Sequence, residues 1–146
     1  MTRQPSGKFR LYCKGAPEHI IRDCVACVSL TDINTPYTLD AAKRKAIAAA
    51  IDSMAGRGLR TLGLAYRDLD DSHRTSAQAP DNAGLVFVGV VGIKDPVREE
   101  VPEAVRKCRE AGITVRMVTG DNEKTAQFIA KECGILDESA GDTVMV

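Results

Sequence analysis

The chain has 146 residues, 44% of them hydrophobic and 27% charged, with 12 glycines and 6 prolines, a balance that belongs to soluble globular proteins and excludes disordered or fibrous classes. Lys plus Arg is 20 and Asp plus Glu is 20, so no net field holds the chain on nucleic acid or on an anionic membrane surface. The longest apolar run, Leu85 to Ile93, falls far short of the roughly 20 residues that cross a bilayer, and no apolar stretch follows Met1 to Pro5 to act as a secretory signal.

Phe9 to Cys13 alternates apolar with polar or amphipathic side chains and predicts a short half-buried strand, with Lys14 and Gly15 as the turn after it. Pro17 suits a first helical position and Glu18 complements the helix dipole, so a helix is expected from about 17 to 28. On that helix Ile20, Ile21, Cys24, Val25 and Val28 place both thiols of the pair Cys24 and Cys27 on the apolar side. Five cysteines are an odd number and argue for reduced thiols in the cytosol, not a disulfide framework. A zinc or redox role for the pair would need a second Cys/His pair or a thioredoxin-like strand before it. His19 and His73 stand alone, so Cys24 and Cys27 are read as buried core cysteines.

Residues 30–36 form a connector rich in Thr, Asp, Asn and Pro. A second helix is expected from Leu39 to Ala55, capped by Thr38, with Ile47, Ile51 and Met54 at helical spacing and Gly56 and Gly58 ending it. Leu59 to Tyr66 is the next strand, and the polar stretch 67–84 reads as an exposed loop. Leu85 to Ile93 is apolar on both faces, the mark of an interior strand covered by helices on either side. Residues 94–98 break it. A helix over 99–111, with Val101, Ala104, Val105 and Cys108 on one stripe, then leads to an apolar strand, Ile113 to Val118. A turn at 119–122 and a helix over 123–133, closed by Gly134, complete the pattern. Strand, helix, strand, helix implies two parallel strands joined by a right-handed crossover. The first half lacks that rhythm, so the fold is read as α/β in two pieces with a boundary near residues 92–95.

In a parallel α/β sheet ligands gather outside the carboxyl ends of the strands. Thr119, Gly120 and Asp121 stand there, offering a hydroxyl, close backbone approach and a carboxylate beside the free N–H groups of a helix start. Equally, Thr119 or Asn122 serves as an N-cap and Asp121 as a dipole partner. Asp95 to Arg98 occupies the matching end of the preceding strand, and reads either as a neighbour of that site or as a capped strand-to-helix turn. Lys14 and Arg60 flank strands in the first piece, where both can meet a polyphosphate or stand as solvated charges. Gly56-Arg57-Gly58 precedes its strand, the wrong order for a dinucleotide turn, and no Gly-x-x-x-x-Gly-Lys-Ser/Thr motif occurs.

Four segments, in order and interval, carry a resemblance that covers nearly all of residues 9–136. They are Lys14-Gly15-Ala16-Pro17-Glu18, Gly58-Leu59-Arg60-Thr61-Leu62, the stretch from Val91 through Lys94-Asp95-Pro96-Val97-Arg98, and Ala111 through Thr119-Gly120-Asp121-Asn122. Together they resemble the cytoplasmic head of P-type cation-transporting ATPases, and the wording around Asp95 and over 112–122 is most similar to the plasma-membrane type of calcium pump. The resemblance implies that residues 1–90 are the C-terminal part of a nucleotide-binding domain with an α+β fold. Residues 91–146 would then be part of a phosphorylation domain, a haloacid-dehalogenase-like parallel βαβ unit.

By the same resemblance Lys14, with Gly15, lines the adenine and triphosphate pocket, and Arg60 reaches the phosphates. Thr119, Gly120 and Asp121 belong to a phosphate-site motif, with Thr119 orienting the transferred phosphoryl group and Asp121 near the nucleotide. Asp95 and Arg98 lie at the hinge between domains and help form the closed site. The implied cofactors are ATP and Mg2+, the latter held mostly by ligands outside this chain. The implied partners are the nucleotide and the remainder of the pump polypeptide with its transmembrane domain, at the cytoplasmic face of a membrane, and no nucleic acid. The family's Asp-Lys-Thr-Gly-Thr segment, which accepts the phosphoryl group, does not occur here, nor does its downstream Thr-Gly-Asp-Gly-x-Asn-Asp segment. The expectation is therefore a fragment of a calcium-transporting pump that contacts nucleotide and does not turn it over. Two other readings are a stand-alone phosphatase of the haloacid-dehalogenase type, with Asp68-Leu69-Asp70 as its nucleophile segment, and a non-catalytic interaction module using the loop at 67–84.

Overall fold

The computed structural model describes residues 1–4, 7–29, 31–32, 35–69 and 83–137. Strands β1 (Thr2–Arg3) and β2 (Phe9–Gly15) open the chain as an antiparallel pair. The second runs two residues past its predicted end. Lys14 and Gly15 are therefore ladder residues opposite Leu64 and Gly63, not a turn. Gly63 lies so close to the next helix that a Cβ there would meet Pro17 Cα at 2.9 Å. The chain reverses instead at Ala16, just before helix α1 (Pro17–Asp23), whose first turn holds the predicted Pro17 and Glu18.

That helix ends five residues earlier than the spacing predicts. Cys24 is already extended, and strand β3 (Cys24–Cys27) follows at once. Two things favour the strand. The Arg44 guanidinium donates to the carbonyls of Ile21 and Cys24, both at 2.5 Å, satisfying acceptors that a longer helix would have used. The strand also has a ladder on each side, antiparallel to β4 (Tyr37–Thr38) and parallel to a later strand. Both cysteines are buried, as expected of core thiols, but on a strand and not on a helix face. Burial pushes the Cys24 thiol up to about 11.

Helix α2 (Ala41–Ala55) begins two residues after the predicted start. Thr38 is tied into β4 opposite Ala26, so Asp40 takes over the cap and accepts from the Lys43 N–H at 2.8 Å. Strand β5 (Leu59–Leu69) extends three residues beyond Tyr66. Arg67 to Leu69, predicted as loop, are held in the ladder with β2, and Arg10 donates to both Asp68 carboxylate oxygens at 2.6 and 2.9 Å while lying over the Tyr66 ring. Residues 70–82 of the predicted loop lie outside the described residues, as do Leu30, Ile33 and Asn34 of the connector, while Ala83 and Gly84 form a turn before the next strand.

Strand β6 (Leu85–Lys94) is interior to a six-stranded sheet of order β1-β2-β5-β6-β3-β4, and its parallel neighbour is β3. Leu85 and Phe87 enter an apolar core with Ile20, Ile21, Leu39, Ile51 and Ala65. The predicted cover on both faces is absent among the described residues, since Val88, Val91 and Ile93 are exposed.

The chain divides into two compact units. One comprises Met1–Ile51 and Thr61–Val91, the other Asp52–Arg60 and Gly92–Val146. The second contains helices α3 (Val101–Glu110) and α4 (Glu123–Glu132). The first of these starts later than predicted, with Pro102 in its opening turn, where a missing N–H costs nothing. Before the second helix the Asn122 side chain accepts from the Lys124 N–H at 2.9 Å, which makes Asn122 the cap.

The predicted strand at Ile113 to Val118 does not form. No strand is assigned there, and Ile113 and Val118 are 56% and 96% exposed. A strand persists through ladder hydrogen bonds to a neighbour, and among the described residues this segment has none. Among the described residues the structure is thus mixed α/β, with one sheet and four helices, and the predicted parallel βαβ unit is not seen among them. No helix among the described residues is long and apolar enough to cross a membrane.

Candidate functional site

The candidate site is built within the second unit, where α4 is fastened to the segment 52–60. After α2 the chain turns through Gly56-Arg57-Gly58, and Gly58 has a φ of +72°, a left-handed conformation that favours glycine. The Phe128 ring fills the space where a side chain at 58 would begin. One residue on, the Thr125 hydroxyl donates to the Leu59 carbonyl at 3.1 Å. Lys124 Nζ lies 2.9 Å from Asp52 Oδ2. The next side chain, Arg60, places its Nε 3.0 Å from Asp121 Oδ1, just before the same helix.

This arrangement walls a cavity of about 420 Å³ whose polar lining includes Arg60, Asp95, Arg98 and Asp121, with Val97, Val101 and Ile129 among its apolar contributors. Two guanidinium groups and two carboxylates around a partly apolar hollow suit a ligand that carries both anionic oxygens and hydroxyl donors. The Arg60 side chain is 67% exposed and that of Asp121 22%. The Arg60 end of the pair is thus solvated, which weakens the pair and leaves the guanidinium accessible to an incoming anion.

Four of the residues singled out from sequence, Arg60, Asp95, Arg98 and Asp121, meet at this cavity. Thr119 and Gly120 are exposed and do not line it. The Thr119 hydroxyl accepts from the Asp121 N–H at 3.1 Å, fixing the loop that presents Asp121. A Cβ at Gly120 would meet nothing within 4 Å, so the backbone there is open to approach. Lys14 and Gly15 belong to the first unit, where the Lys14 side chain is exposed on β2.

A larger hollow of about 660 Å³ lies beside α3 and the end of α4, lined by Arg106, Arg109 and Lys131 among others. Its basic groups are engaged internally: Arg106 pairs with Glu103 and Glu110, and Arg109 donates to the Ile135 carbonyl at 2.9 Å. Among the described residues no three His, Cys, Asp or Glu side chains gather to hold a metal ion. Asp68, the described half of the nucleophile segment, is occupied by its two-point contact with Arg10, and Asp70 lies outside the described residues. The Arg10 guanidinium holds the Asp68 carboxyl below the usual carboxylate range.

Sequence reading did not find Thr125 or Phe128. Thr125 is the only buried polar residue among those described, at 1% exposure. Its partner lies 66 positions away, so nothing in the local sequence marks it.

Residues 1–100 match the family described as P-type ATPase, cytoplasmic domain N. A probable plasma membrane-type calcium-transporting ATPase of Oryza sativa subsp. japonica is 50% identical over 134 residues, which is 92% of this chain and 13% of that protein. Plasma membrane calcium-transporting ATPase 4 of Homo sapiens is 46% identical over 141 residues, 93% of this chain and 11% of that protein. The calcium-transporting ATPase PAT1 of Dictyostelium discoideum is 48% identical over 130 residues, 89% and 11% respectively. The chain thus spans only about an eighth of the length of such relatives.

Proposed function

The chain belongs to the P-type ATPase family, and from that premise we propose that it is an ATP-binding cytoplasmic part of a calcium-transporting pump, which couples ATP hydrolysis through an aspartyl-phosphate to cation transport. Residues 1–90 serve as the C-terminal part of the nucleotide-binding domain and residues 91–146 as part of the haloacid-dehalogenase-like phosphorylation domain. The observation that carries this reading is the convergence of Arg60, Asp95, Arg98 and Asp121 on one cavity. Three separate stretches of sequence contribute to it, and each belongs to a motif the resemblance singled out. The names of the relatives supply calcium as the cargo.

Within the site, Arg60 and Arg98 neutralise phosphate oxygens, and the Asp121 carboxylate accepts from nucleotide hydroxyls. Lys14 and Gly15 meet the adenine and triphosphate from the nucleotide-binding domain, while Thr119 and Gly120 face the transferred phosphoryl group. Mg2+, when bound, would be held mostly by ligands outside this chain and would neutralise phosphate charge. The chain's own task is binding and orientation. With no Asp-Lys-Thr-Gly-Thr segment in the sequence, the in-line nucleophile comes from the remainder of the pump polypeptide. That remainder also supplies a ladder to Ile113–Val118 and holds the assembly at the cytoplasmic face of a membrane.

Titrating the chain with ATP tests this. Lys14→Ala and Arg60→Ala are each expected to weaken binding about tenfold, the loss of a charge-assisted contact. A titration indifferent to both changes would overturn the reading.

A further inference from the structure

A threonine hydroxyl inside a helix ordinarily bonds a carbonyl one turn back on its own helix. Thr125 does otherwise. It lies in the first turn of α4 with 1% exposure, and its Oγ1 leaves the helix to donate to the Leu59 carbonyl at 3.1 Å. The residue that follows Leu59 is Arg60, and the residue four before Thr125 is Asp121, so this one hydrogen bond joins the backbones that carry the two partners of the 3.0 Å ion pair. The Phe128 ring against Gly58 blocks movement of the same segment from its other end.

We propose that Thr125 is a positioning residue of the nucleotide site: by holding the Leu59 carbonyl to α4 it sets the Arg60 guanidinium opposite Asp121, so that the phosphate-contacting arginine and the Thr119–Asp121 loop are presented to ligand as one piece. The inference rests on the function proposed above. Its logic is preorganisation. An exposed arginine on an unrestrained strand end loses rotamer and backbone freedom each time it grips a phosphate, and an anchored one loses less. A valine at 125 keeps the shape of the side chain and removes the donor.

The test is a set of titrations of the full chain with ATP and with adenosine, which lacks the phosphates that Arg60 meets. Thr125→Val is expected to weaken ATP about three- to tenfold, the range of one ordinary hydrogen bond, with adenosine unchanged. Thr125→Ser should restore ATP affinity, and in an Arg60→Ala background Thr125→Val should have no further effect. Equal weakening of ATP and adenosine, or full additivity with Arg60→Ala, would mean that Thr125 only stabilises the fold and would overturn the proposal. ATP affinity unmoved by Arg60→Ala would instead remove the function reading beneath it. Should circular dichroism show Thr125→Val unfolded, Phe128→Ala replaces it, because that ring is partly exposed and its removal frees the same segment. A selective loss of ATP then supports the proposal, and unchanged ATP binding sinks it.

Discussion

The two units are held by different physics. In the first, Leu85, Phe87, Ile20, Ile21, Leu39 and Ile51 form an apolar cluster drawn from one strand, two helices and a connector. In the second, the buried side chains among the described residues are few and small, Ala55, Val105, Thr125, Ala130 and Cys133, and the contacts that fix the candidate site are single ion pairs, the Thr119 and Thr125 hydroxyls and the Phe128 ring. A region stabilised by apolar area tolerates loss of any one polar contact, whereas a region stabilised by particular polar contacts can be repositioned by changing one atom. Six of the eight candidate ligand-binding residues, all but Lys14 and Gly15, lie in the second unit, whose polar contacts set position more than stability.

The largest expected effect contrasts the units directly. Leu85→Ala opens a cavity at a side chain with no exposure and is expected to cost about 2–5 kcal/mol in urea unfolding. Val118→Ala, at a side chain almost wholly in solvent, should stay within about 0.5 kcal/mol. Similar losses at the two positions would break the comparison. A smaller effect sharpens it on the alkaline side. The Cys24 thiol is raised from 9.0 to about 11, so the folded chain holds a proton there that the unfolded chain releases. The contribution is fully present below the unfolded value and is lost as pH rises through the folded one, a change of at most about 3 kcal/mol. Unfolding free energy measured across that window should fall in the native chain and fall less in Cys24→Ala.

The smallest effect is acidic. Asp68 is depressed by Arg10, so its contribution is present above the ordinary carboxylate range and is lost as pH falls through the folded value. The Asp68 side chain is about half exposed, which limits the contribution to below about 1 kcal/mol. Asp68→Asn should remove that part of the acid limb, and an unchanged acid limb would show that the ion pair is energetically silent.

Much of this was legible in advance. Apolar alternation located β2, a continuous apolar run located β6, alanine-rich helical spacing located α2, and the motifs singled out Arg60, Asp95, Arg98 and Asp121, which line one cavity. The misreadings share a cause: each depended on a partner distant in sequence. Ile20, Ile21, Cys24, Val25 and Val28 fit a helix spacing, but β3 was decided by ladders to Tyr37–Thr38 and to β6. Thr38 is a good cap by composition and lost that role to Asp40 because the same ladder claimed its backbone. Ile113–Val118 has strand composition and lacks a neighbour among the described residues. The Arg60–Asp121 pair, 61 positions apart, leaves no local trace at all.

Gly58 shows what such a site asks of its sequence. Two independent demands fall on it, a left-handed backbone and a volume already taken by the Phe128 ring. Gly84 has the same φ of +72°, yet the nearest atom to its imagined Cβ is Arg67 Cδ at 4.0 Å. An asparagine, which accepts left-handed geometry, could therefore stand at 84 but not at 58. In terms of substitution, position 84 is open to a residue that tolerates a left-handed backbone, and position 58 is closed by its neighbour as well as by its φ. A side chain placed there would have to displace the Phe128 ring, and with it the grip of α4 on the strand that carries Arg60.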